Sequence, residues 1–176
     1  MTNNKKYVII IFRTYEKLKG VSMKVVFACS FGSGRANFRL AEAAERIVTK
    51  EETKCVIIAQ WEVARELEKQ NIPILHVVEP NTSGAYLDTI DVWNEAKICL
   101  ALYDAVEIII VAQPFIHGIY IERMIEKDGY QVCHKYDREI GRIGFDSESQ
   151  QWWTRGPLRM ILYVLLSVCG LEKYFR

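Results

Sequence analysis

The chain is predicted to be an α/β protein with a three-layer Rossmann-like fold: a mainly parallel central sheet of about five strands with helices on both faces. Three observations carry that expectation. Runs such as Val25–Ala28, Val56–Ala59 and Ile108–Ala112 are apolar at successive positions, as in strands buried on both faces. Stretches with helical apolar spacing separate these runs, which implies right-handed crossovers between parallel neighbours. The first run also passes into a helical stretch through Ser30-Phe31-Gly32-Ser33-Gly34-Arg35, a strand-to-helix turn rich in small residues.

In order along the chain, Lys24–Cys29 is β-branched and aromatic enough for the first strand, and Ala36–Val48 follows as a helix. Lys54–Ala59 is a second buried strand, Glu62–Gln70 a charged helix, and Ile74–Val78 a third strand. Asp88–Leu102 has helical spacing, Glu107–Ala112 is the most hydrophobic strand, and Ile119–Lys127 is a helix ended by Asp128-Gly129. Tyr130–His134 is the fifth strand, Arg138–Gln151 reads as a polar loop, and Pro157 opens a last helix at a position proline tolerates.

Residues 1–22 fit this pattern poorly. Met23 directly precedes the first convincing strand and is the expected natural start, leaving 1–22 as an N-terminal extension and 23–176 as one domain; the other reading makes Tyr7–Phe12 an extra edge strand. A chain of 176 residues with 50% hydrophobic content has a sizeable core, and a net charge of +1 offers no basic excess for nucleic acid. The five cysteines Cys29, Cys55, Cys99, Cys133 and Cys169 are odd in number and lack C-x-x-C spacing, so they read as reduced thiols of a cytoplasmic protein. Tyr7–Phe12 and Met160–Val168 are both too short to span a bilayer. His76, His117 and His134 are too far apart in sequence to form a metal motif, although a sheet could bring two together.

In parallel sheets ligands bind beyond the carboxyl ends of the strands. Strand one delivers Ser30, Gly32, Ser33, Gly34 and Arg35; glycines let a backbone approach a ligand, the following helix offers free N–H groups, and Arg35 adds a positive fork. This predicts an anion site, which Arg155 beside Trp152-Trp153 could join under an aromatic lid. The turn is neither G-x-G-x-x-G nor a P-loop, which disfavours dinucleotides and triphosphates. Strand two delivers Gln60, strand three Glu79 and the nearby Thr82, and strand four Gln113 and His117. His117 is a candidate ligand-binding or helix-capping imidazole, and Glu79 a candidate site carboxylate or solvated loop acid.

The order of a glycine-rich turn with an arginine, Glu79 after strand three, Thr89-Ile90-Asp91 opening a helix, and Ile108–Pro114 leading to His117 resembles the YdcF/SanA/ElyC family of bacterial domains. Ser149–Arg155 also resembles the tail of soluble YdcF-like members. The sequence departs from the family at Ala59-Gln60-Trp61, where many members have Ser-Gly-Gly, at Thr89-Ile90-Asp91-Val92 for Thr-x-Glu-Asn, and at Tyr120 in place of an arginine. The resemblance implies a Rossmann-like fold with a site at the strand ends, and makes S-adenosylmethionine a candidate cofactor. It assigns acid/base work to His117 or Glu79 and positioning to Gln113 and Thr89. The expected ligand is a small anionic or nucleotide-like molecule, turned over by an enzyme or held by a ligand-responsive binding module. A separate possibility rests on Cys29 and Arg35, whose spacing matches that of cysteine-dependent phosphatases; the chain lacks the later Asp-Pro-Tyr element of the low-molecular-weight class.

Overall fold

Met23–Ala28 forms the central strand, β1, and the period-2 geometry of a strand explains why it needs apolar side chains throughout. Val26 and Ala28 enter one hydrophobic cluster while Val25 and Phe27 enter another on the opposite face, all fully buried. Each large side chain buried this way contributes roughly 1.5–3 kcal/mol. The computed structural model describes residues 23–32, 34–51, 54–80, 87–102, 105–149 and 151–169; the extension 1–22, with Tyr7–Phe12, lies outside them, as do Ser33 and Thr82.

Four more strands complete a parallel sheet: β2 Cys55–Gln60, β3 His76–Val78, β4 Ala105–Val111 and β5 Gln131–Val132, in the order β3-β2-β1-β4-β5. Helices α1 Arg35–Lys50 and α2 Trp61–Lys69 pack on one face through Leu40, Ala44, Ile47, Val63 and Leu67. Helices α3 Thr89–Leu102 and α4 Ile116–Lys127 cover the other through Trp93, Ala96, Leu100, Ile121 and Ile125. This is the three-layer α/β architecture the sequence predicts. The helix after β1 and the helix after β4 lie on opposite faces, so neighbouring β1 and β4 diverge into a crevice at their carboxyl ends.

Several boundaries differ from the sequence reading. The edge strands are shorter than Ile74–Val78 and Tyr130–His134; Pro73 supplies no N–H ahead of β3, and beyond β5 only the Cys133 N–H to Ile108 carbonyl bond, 2.8 Å, extends the ladder. Helix α4 begins at Ile116, three residues early, because Gln113 builds its entry: the Gln113 side-chain oxygen accepts the Phe115 N–H at 3.1 Å and its carbonyl accepts the Gly118 N–H at 2.9 Å. The polar segment 138–151 is not simply a loop. A one-turn helix, α5 Asp137–Ile140, forms within its start because Tyr136, Ile140 and Ile143 are anchored in the core beside α1. A 3-10 turn, Trp152–Arg155, then leads into α6 Pro157–Val168, which starts at the predicted proline.

A cluster of paired charges gathers around the strand starts. Lys24 bridges Glu51 at 3.2 Å and Glu107 at 2.9 Å, while Lys135 and the Tyr136 hydroxyl also bond Glu51. Lys135, Tyr136 and Lys24 hold the Glu51 carboxyl down to about 2. Among the described residues no helix is long and apolar enough to cross a membrane.

Candidate functional site

A cavity of about 530 Å³ opens at the crevice. Its floor is the end of β1, Ser30–Gly32, with Gln60 and Glu62 from the β2–α2 junction. Thr89 at the start of α3 and His117 in the first turn of α4 supply polar side walls, and Trp153, Met160 and Tyr163 close it from the C-terminal segment. Of the sequence-predicted residues, Ser30, Gly32, Gln60, Thr89 and His117 therefore converge on one cavity.

The turn after β1 is tied down from within. The Ser30 N–H donates to Gln60 Oε1 at 3.1 Å, the Phe31 N–H to Asn37 Oδ1 at 2.9 Å, and the Asn37 amide returns a bond to the Gly32 carbonyl at 3.1 Å. Gly32 and Gly34 have positive φ, 66° and 85°, as the turn requires. The close approach they permit is taken by the protein's own side chains. Ser149 Oγ and Thr154 Oγ1 crowd the position a Gly32 Cβ would occupy, and Asp146 Oδ2 lies 3.2 Å from that of Gly34. Asp146 is buried and accepts the Ala36 N–H at 3.4 Å, so a carboxylate from the 141–149 segment already sits at the N-terminus of α1.

Five predicted residues lie outside the cavity. Arg35 is 74% exposed and points to Glu148, 3.9 Å away, because it is the first residue of α1 on its solvent side. Arg155 donates from Nε to the Ser149 carbonyl at 2.7 Å and orders the wrapping loop. Glu79 is exposed beyond β3, an edge strand two places from the switch point. Gln113 is fully buried under the α4 turn it builds. Gly34 belongs to the turn but lies outside the cavity wall, and Ser33 lies outside the described residues. Sheet order also separates the other histidines: His76 meets Glu95 at 3.1 Å on one edge, and His134 meets Asp137 at 3.0 Å on the other, beside a smaller cavity of about 300 Å³. Among the described residues no group of three or more His, Cys, Asp or Glu side chains is placed to hold a metal.

Glu62 is the site residue sequence reasoning missed. Burial raises its carboxyl above the ordinary range, against the opposing bonds from its own N–H, Ser30 and Gln60, and its Oε2 is buried without a partner among the described residues. An acid two residues beyond a buried parallel strand, at the start of a helix, was the available signal. Across the cavity wall His117 Nε2 lies 3.3 Å from Thr89 Oγ1, its ring stacks on Phe31 at 6.0 Å, and its Nδ1 is buried without a partner among the described residues. Burial lowers His117 to about 4, so the imidazole is neutral at pH 7.

That shift predicts acid sensitivity. The ordinary value is 6.5, so the unfolded chain binds the proton more tightly; the contribution of neutral His117 is complete above pH 6.5 and is lost as pH falls toward 4, by up to roughly 2–3 kcal/mol. Glu62 acts in the opposite sense, and Glu51 only below its ordinary 4.5. Urea unfolding of the wild type and His117→Gln at pH 7 and pH 5 isolates the term: the wild type should lose more stability between the two, and equal losses would place the imidazole in water.

Cys29 is 1% exposed beneath the cavity, and burial together with Glu62 pushes its thiol strongly up. Nothing in this arrangement lowers its pKa as a nucleophile requires. Comparison with protein-family models, curated proteins and solved structures finds no match.

Proposed function

We propose that the protein binds a small nucleoside-like molecule in the cavity at the carboxyl ends of β1 and β2, as a YdcF-like domain. One observation carries this reading: Glu62 and His117 line the same cavity, and each keeps a buried polar atom, Oε2 and Nδ1, without a hydrogen-bond partner among the described residues. Buried polar groups are normally satisfied, so two orphans just behind one cavity wall support a ligand toward which these side chains turn on binding. The aromatic wall suits a planar base, since Phe31, Tyr120, Trp153 and Tyr163 line the same space. Thr89 and His117, two of the YdcF-like motif positions, meet at 3.3 Å, which supports the resemblance, while Glu79, the motif acid, lies outside the cavity.

The expectation of an anionic ligand narrows accordingly. Arg35 and Arg155 are engaged elsewhere, and among the described residues the cavity wall carries no Lys or Arg but does carry Glu62 and Asp88. A phosphate-free nucleoside derivative such as S-adenosylmethionine, the cofactor the resemblance suggests, suits this wall better than a nucleotide. Where a reaction follows binding, a neutral His117 is poised to accept a proton, with Glu62 in the role first given to Glu79.

Calorimetric titration with S-adenosylmethionine, adenosine and inorganic phosphate tests the proposal. The first two should bind and phosphate should not. Removing the imidazole hydrogen bond in His117→Ala should weaken binding by about tenfold or more. Phosphate binding with fast, phosphate-protected alkylation of Cys29 would instead favour the phosphatase chemistry.

A further inference from the structure

We propose that α6 is a dimerisation helix: its outer face, Leu158, Ile161, Leu162 and Leu165, packs on the same face of a second copy about a two-fold axis, beside the mouth of the cavity. The inference is independent of what the cavity binds.

A helix that is apolar on every side is normally enclosed on every side. Helix α6 is of this kind, since between Pro157 and Val168 its only charge is Arg159. The described chain covers one side of it. Met160, Tyr163 and Val164 line the cavity, and the helix packs chiefly on the 3-10 turn before it. The opposite side is bare, with Leu158, Ile161, Leu162 and Leu165 50–80% exposed. Across the cavity, Ile90, Ile116 and Tyr120 are 39–47% exposed on its rim. Together these side chains leave bare on the order of 700 Å² of largely apolar surface, close to the roughly 800 Å² per partner of a stable interface.

The face fits a second copy better than a bilayer. Its four residues are spaced i, i+3, i+4, i+7, an order that reads the same from either end. A two-fold axis between Ile161 and Leu162 therefore sets Leu158 of one copy against Leu165 of the other and Ile161 against Leu162, with leucine or isoleucine at every contact. A helix lying on a membrane carries a polar face rich in Lys and Arg beside its apolar one. Helix α6 has a single arginine, and the exposed acids Asp88 and Asp91 at the start of α3 would repel anionic headgroups. At 12 residues α6 is also too short to cross a bilayer.

Sedimentation velocity of the full chain in reducing buffer tests the inference. The wild type should be a dimer at about 100 µM. The double variant Leu158→Glu, Leu165→Glu places carboxylates from both copies in the apolar seam and should weaken self-association by about a hundredfold or more, with an unchanged circular dichroism spectrum. Ile98→Glu, at an exposed apolar position in the third turn of α3 and outside the proposed face, should leave the dimer intact. A wild type that stays monomeric at that concentration would overturn the inference, whatever the variants do. A dimer that the double change leaves as tight would overturn it as well. Flotation of a monomer with vesicles of phosphatidylcholine and phosphatidylglycerol would assign the face to a bilayer and so reject the second copy.

Discussion

Gly32→Ala is expected to cost about 3–5 kcal/mol of stability, from two separable sources. The residue has φ 66°, which a side chain makes strained. Its new Cβ would also be driven into Ser149 Oγ and would stand 2.9 Å from Thr154 Oγ1. Neither neighbour has room to withdraw, because Ser149 and Thr154 are fully buried and hydrogen-bonded to each other at 2.6 Å. Urea unfolding measures the total, and the double variant Gly32→Ala, Ser149→Gly should recover part of the clash while leaving the backbone cost. A loss under about 1 kcal/mol would mean that residues 146–154 can lift off the turn freely. The cavity would then have a movable wall.

Asn37→Leu should cost about 3 kcal/mol and abolish ligand binding at concentrations where the wild type saturates. Asn37 is 4% exposed inside the apolar stripe of α1, where propensity and packing both favour another residue. Its amide accepts from the Phe31 N–H and donates to the Gly32 carbonyl, so one side chain fixes two residues of the cavity floor. Leucine matches its shape but strands both backbone groups. Binding is the more telling readout: a variant that is destabilised yet retains full affinity would mean that the turn is held by its other bonds, from Gln60 and Asp146.

Most of the fold was legible because strands buried on both faces have a distinctive composition. Val25–Ala28, Ile57–Ala59 and Ile108–Val111 contain few polar residues, and helical spacing between them leaves only parallel crossovers. Legibility failed where tertiary contacts decided the conformation. Asp137–Ile140 forms a helical turn only because Tyr136 and Ile140 find the core, and α4 begins at Ile116 only because the buried Gln113 side chain caps its approach. The candidate site was half legible. Ser30, Gly32, Gln60 and His117 end or follow strands and were found by that rule, and Thr89 came from the family resemblance; Glu62 was passed over as one acid among several on a charged helix.

What the sequence by itself determined is the layer architecture and the end of the sheet where a site forms, because both follow from apolar periodicity and from the residues at which it stops. What only the tertiary structure decided is the electrostatic character of that site. The glycine turn and Arg35 read as an anion cradle until the chain folds, when Asp146, more than a hundred residues away, supplies the carboxylate at the N-terminus of α1 and Arg35 turns to Glu148 in solvent. The physical reason is that a helix N-terminus and a close-approach glycine specify the sign and size of a partner but not its source, and here the chain supplies its own.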